Sequence, residues 1–134
     1  MAEMTRTKIN KSVQHTLCRS VTFTGKGVHS NLPVTMTLYP ADAGTGIVFR
    51  RLTSGGYLDI SACHSSVSET ELCTIIGDPN GIFVATIEHL MAALRSFCVD
   101  NVRIEIDGAE APVMDGSSIE FVKKIKEAGI IPQT

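Results

Sequence analysis

The sequence predicts an α+β fold: an antiparallel sheet with two helices on one face. Three observations predict it. Leu32 to Tyr39 (LPVTMTLY) and Asn101 to Asp107 (NVRIEID) alternate apolar and polar residues with period two, the pattern of half-buried strands. Thr86 to Phe97 (TIEHLMAALRSF) carries Ile87, Leu90, Met91, Leu94 and Phe97 at helical spacing. Short β-rich stretches before that helix are separated by Gly and Pro turns.

Residues 1–13 are polar and aperiodic and are expected to form a flexible tail; residues 14–134 form one domain. Thr16 to Thr24 reads as a strand, broken at Gly25-Lys26-Gly27. Val28-His29-Ser30-Asn31 continues the turn into the alternating strand, which Pro40 stops. Ile47 to Leu52 is a short strand, and Thr53-Ser54-Gly55-Gly56 turns it toward a hairpin partner at Tyr57 to Ile60. Cys63 to Thr70 is polar and has no clear period. Glu71 to Ile76 and Ile82 to Ala85 read as strands around a GDPNG turn, leading into the helix with Thr86 as its N-cap. After the strand at Asn101 to Asp107, a loop holds Pro112. A second helix opens on a capping box, Ser117 with Glu120, and ends before Gly129.

The bulk composition sets limits on function. With 43% apolar and 19% charged residues, the chain is an ordinary globular one. A net charge of −2 provides no basic field for a phosphate backbone, so no nucleic acid is expected as partner. Cys18, Cys63, Cys73 and Cys98 form no C-x-x-C pair, and no secretory signal precedes them. They read as reduced thiols of a cytoplasmic protein. No stretch reaches the length of a transmembrane segment.

Within the first helix, Glu88 and His89 are the sharpest candidates for chemistry. His89 points away from the apolar stripe and shares a small-sided face with Ala92, Ala93 and Ser96. An imidazole can ligate zinc, and a carboxylate beside it can take a proton from water. The same pair also suits a helix start with no chemistry, since an acid in the first turn complements the dipole. A catalytic zinc needs about three protein ligands. The other histidines and cysteines are scattered without ligand spacing, so these residues alone complete no metal site. Gly25-Lys26-Gly27 lacks the following helix of a phosphate loop and reads as a turn.

Five blocks, GVHS (27–30), LCT (72–74), TIEHLMAAL (86–94), DN (100–101) and APVMDGSS (111–118), occur in an order and spacing that point to one family. Together they closely resemble the N-terminal domain of UDP-3-O-acyl-N-acetylglucosamine deacetylase, a zinc-dependent enzyme of lipid A biosynthesis in Gram-negative bacteria. The resemblance implies a ribosomal-S5-domain-2-like fold and a two-domain enzyme with its active site in the crevice between the domains. It implies that His89 is a zinc ligand and that Glu88 is the general base acting on the water that attacks the acetamide. It places Leu72, Cys73 and His29 along the crevice, and Asp115 and Thr86 in supporting positions. Glu71 stands where family members often carry a methionine. The substrate implied is a UDP-sugar lipid A precursor. The remaining zinc ligands, general acid and acyl passage would come from a second, C-terminal domain that these residues lack. The chain alone is therefore expected to be inactive. The competing reading is a non-catalytic interaction module of the same fold.

Overall fold

A computed structural model describes residues 13–62, 67–69, 74–113 and 118–133. Residues 1–12 of the tail expected at 1–13, Ser117 of the expected capping box, and Leu72, Cys73 and Asp115 lie outside the described residues. The strands are β1 (Gln14–Leu17), β2 (Val21–Lys26), β3 (Pro33–Pro40), β4 (Ile47–Thr53), β5 (Gly56–Ser61), β6 (Val67–Glu69), β7 (Thr74–Gly77), β8 (Phe83–Ala85), β9 (Val102–Ile106) and β10 (Ile130–Gln133). The helices are α1 (Glu88–Ser96) and α2 (Ile119–Ala128).

The main sheet has the order β2-β3-β9-β4-β5. Its pairs are antiparallel except β4 with β9, which run parallel. The alternation predicted for β3 and β9 is realised. Val34, Met36 and Leu38 are buried with Val102, Ile104 and Ile106, and Met36 lies opposite Ile106. Leu90, Leu94, Phe121 and Ile125 from the helices join the same core, so both helices cover one face of the sheet. Phe23 of β2 and Phe121 of α2 meet edge to face, with ring centroids 4.9 Å apart. The opposite face is polar. Thr22 and Thr37 hydroxyls are 3.0 Å apart across β2 and β3, and Arg50 grips Asp59 across β4 and β5 at 2.9 Å.

Two smaller sheets flank this layer. β6, β7 and β8 form an antiparallel ribbon, and Arg51 Nε of β4 donates to the Phe83 carbonyl of β8 at 3.3 Å. β1 pairs with β10 antiparallel. The stretch expected as one strand from Thr16 to Thr24 is therefore two strands in two sheets, parted at Cys18–Ser20. The segment beyond Gly129, expected only to stop a helix, returns as β10. Buried Asn101 ties this pair to the main sheet. Its Nδ2 donates to Gln14 and Gln133 at 2.8 Å each, and its Oδ1 accepts from Gly46 N at 2.8 Å. A local periodicity argument has no access to such a partner.

Helix ends also differ from expectation. α1 is capped at Ile87, one residue after Thr86, without a side-chain capping bond. The cap position of α2 is Ser118. Ala93, expected beside His89 on the small-sided face, is buried with Leu90 and Leu94. α1 packs against α2 as well as the sheet, and this widens its buried arc. Cys98, which follows the apolar stripe of α1, is exposed. It sits in the left-handed region (φ 57°) and ends α1 in a Schellman motif: Val99 N bonds Leu94 O at 3.1 Å and Cys98 N bonds Arg95 O at 3.0 Å. A side chain there costs energy that glycine avoids. Cys98→Gly is expected to stabilise the chain by ~1 kcal/mol in urea unfolding.

Candidate active site

The site is built where β8 hands the chain to α1. Ala85 N donates to Ala109 O at 2.8 Å and Ala111 N to Ala85 O at 3.0 Å, so the loop after β9 runs alongside the end of β8. Val113 N donates to Lys26 O at 2.8 Å, which fastens the same loop to the end of β2. Thr86 N donates to Thr74 O at 2.8 Å. Three distant stretches of the chain therefore converge on the start of α1: the turn after β2, the beginning of β7, and the loop after β9.

Glu88 opens α1 and is half-buried. Its Oε1 accepts the backbone N–H of Thr74 at 3.2 Å. This contact brings the third residue of the LCT block against the carboxylate. His89 follows with its side chain exposed, and its ring makes no hydrogen bond among the described residues. The outward aim expected of His89 is realised: Ala92 and Ser96 lie exposed beside it. Packing accounts for this arrangement. Ile87, Leu90, Ala93 and Leu94 take the buried side, which leaves His89 facing out at the first turn.

His29 is brought to this corner by a residue that sequence reasoning missed. Glu110 is buried, with 6% of its surface accessible, and its carboxylate collects donors from two elements. His29 N donates to Oε1 and Oε2 at 3.1 Å each, Ser30 N to Oε1 at 2.9 Å, and Thr86 Oγ1 to Oε2 at 2.8 Å. Oε2 also lies 2.7 Å from His29 Nδ1, and the carboxylate, an acceptor, assigns a proton to that nitrogen. Gly27 is required here because a Cβ would collide with Glu110 Oε1 and would lie 2.5 Å from Ser30 Oγ. The only sequence signal for Glu110 was an acid isolated among small residues (GAEAP), which no helical or strand period registers.

Burial is the largest single influence on the Glu110 carboxyl and pushes its pKa up. The Ser30 N–H, the Thr86 hydroxyl, the His29 N–H and the His29 ring together outweigh it, and hold the group at about 2 instead of 4.5. Thr86, expected as a helix cap, therefore spends its hydroxyl on Glu110. No cluster of three or more His, Cys, Asp or Glu side chains able to hold a metal occurs among the described residues. His89 presents one imidazole donor with a carboxylate next to it. A catalytic zinc takes about three protein ligands, of which this could be one. No helix among the described residues is long and apolar enough to cross a membrane.

The family model described as LpxC, UDP-3-O-acyl N-acetylglycosamine deacetylase, matches residues 14–134. A protein of Francisella tularensis subsp. tularensis (strain WY96-3418) named UDP-3-O-acyl-N-acetylglucosamine deacetylase is 47% identical over 123 residues, covering 90% of this chain and 43% of its own length. One of that name from Geotalea uraniireducens (strain Rf4) is 50% identical over 116 residues, covering 87% of this chain and 38% of its own. A third, from Pseudoalteromonas atlantica (strain T6c / ATCC BAA-1087), is 44% identical over 117 residues, with 87% and 38% covered. The chain thus spans about two fifths of the length of the relatives it matches.

The Glu110 cluster has a measurable signature in acid. A carboxyl whose folded pKa lies below its unfolded one adds stability above the unfolded value, and that gain is lost as pH falls toward the folded value. Here the window runs from about 4.5 down to about 2, and the shift corresponds to ~3 kcal/mol. Glu110→Gln is expected to be less stable than the parent by about that amount at pH 7, with the gap narrowing as pH falls from 5 toward 2 in denaturant titrations. Gly27→Ala is expected to cost ~2 kcal/mol by displacing the same carboxylate.

Proposed function

The chain belongs to the UDP-3-O-acyl N-acetylglycosamine deacetylase family, and we propose that it is the N-terminal half of a zinc-dependent, cytoplasmic deacetylase of lipid A biosynthesis. The reaction is hydrolysis of the acetamide of UDP-3-O-(3-hydroxyacyl)-N-acetylglucosamine. The observation that carries this reading is the pair at the first turn of α1. An exposed imidazole at His89, unbonded among the described residues, stands next to a carboxylate at Glu88 that Thr74 N–H orients. An ordinary helix start needs no such exposed histidine.

In this reading His89 supplies one ligand to zinc, which when bound acts as a Lewis acid toward water and the acetamide carbonyl. Glu88 takes the proton from the attacking water, as a general base can when held at hydrogen-bond reach, and the leaving amine takes its proton from the general acid. The Thr74 N–H keeps that carboxylate from swinging into solvent. Leu72, Cys73 and His29 line the crevice, and Asp115 and Thr86 support it. The other zinc ligands, the general acid and the acyl passage belong to the remaining length of the family, packed against the exposed side of α1.

One imidazole cannot fix a metal's geometry or hold it tightly. The 134-residue chain alone is therefore expected to show no tight stoichiometric zinc binding by calorimetry and no acetate release from the UDP-sugar. In the enzyme completed with the remaining length of the family, Glu88→Gln is expected to lower kcat by roughly 10²–10⁴-fold. His89→Ala should reduce the zinc retained after dialysis. Stoichiometric zinc and turnover by the chain alone would overturn the proposed division of ligands, and full activity of Glu88→Gln would remove Glu88 as the base.

A further inference from the structure

We propose that Glu110 is a positioning residue for the Glu88–His89 pair: its carboxylate holds Thr86 in a left-handed conformation and so fixes where α1 begins and which way both side chains point. The proposal rests on the reading of Glu88 and His89 as the reacting pair. Thr86 has φ 62°, a region that β-branched residues rarely enter and that costs roughly 1–2 kcal/mol. Such a residue persists only where its surroundings over-determine it. Two bonds do so here: Thr86 N to Thr74 O at 2.8 Å and Thr86 Oγ1 to Glu110 Oε2 at 2.8 Å.

The helix does not locate its own start. The cap residue is Ile87 (φ −93°, ψ 0°), whose apolar side chain makes no capping bond to the free N–H groups of the first turn. The Thr86 hydroxyl points at Glu110 instead. A helix start that slips by one residue turns every side chain by about 100°. His89 would then swing off the exposed face or into the core. The corner that prevents this slip is bonded to Glu110, which is itself fixed from two sides. The bridge between Ala85 and Glu110 holds its backbone. His29 and Ser30 N–H groups hold its carboxylate. An apolar side chain at position 110 would fill the space without the desolvation cost of a buried acid, so its chemistry serves the donors it collects and not the packing.

The test compares Thr86→Val, which deletes only the hydroxyl, with Thr86→Ser, which keeps it, and with Glu110→Gln. Amide hydrogen exchange in the 134-residue chain is read at Met91, whose N–H bonds Ile87 O in the first turn of α1, and at Ile104 in the middle of β9. Thr86→Val and Glu110→Gln are expected to speed exchange at Met91 at least 10-fold more than at Ile104, and Thr86→Ser to leave the ratio unchanged. Equal acceleration at both sites, the result of a merely structural role, overturns the proposal. Thr86→Val keeps the test available if Glu110→Gln does not fold. In the completed enzyme the same two variants are expected to lower kcat at least 10-fold, with KM changed less than 3-fold and Thr86→Ser near the parent. Glu88→Gln assayed beside them separates the failures. Activity kept by Glu88→Gln removes the functional reading. Activity lost by Glu88→Gln but kept by Thr86→Val and Glu110→Gln overturns the positioning role alone.

Discussion

A buried carboxylate with no lysine or arginine against it among the described residues organises the corner at which α1 begins. Glu110 is stabilised by oriented dipoles: backbone N–H groups of His29 and Ser30 and the hydroxyl of Thr86. Hydrogen bonds to an ion are stronger than neutral ones and demand narrower geometry. That geometry ties together a turn at His29–Ser30 and a helix start at Thr86 that lie more than fifty residues apart in sequence. Small residues make the close approach feasible. Gly27 leaves room for the acid, and Ala109 and Ala111 let the loop lie flat against β8.

The layers around this corner explain why it is a corner at all. The main sheet buries one face only, and both helices lie on that face. Its other face is covered by threonines and by the Arg50–Asp59 pair, which need no further protein above them. α1 has its apolar side in the core and its first turn at the end of β8, so whatever stands at positions 88 and 89 emerges at the rim of the layer. The β6-β7-β8 ribbon supplies Thr74, and with it the N–H that meets Glu88. β7 therefore meets the start of α1 through that bond and through Thr86 N to Thr74 O.

Much of the architecture was legible because it is written in periods. Leu32 to Tyr39 and Asn101 to Asp107 alternate strictly, and both are central strands. Ile87, Leu90 and Leu94 recur helically, and all three are buried. The unread parts depend on partners far away in sequence. β1 and β10 exist because each is the other's ladder. β6 lies in a polar stretch with no alternation, and it is a strand because β7 runs beside it. The parallel pairing of β4 with β9 follows from strand order, which no local pattern specifies.

By itself the sequence determined the class of fold, the two helices with their inward faces, the outward aim of His89 next to Glu88, and, through five short blocks, the family. These depend on local spacing and on residue identity, which the chain carries wherever it folds. Only the tertiary structure decided that Thr86 bonds an acid instead of capping a helix, that Cys98 turns out to solvent while Ala93 turns in, and that Glu110 joins His29 to the start of α1. Each of these is settled by which groups meet across the fold. A buried polar atom must find its partner wherever packing places one.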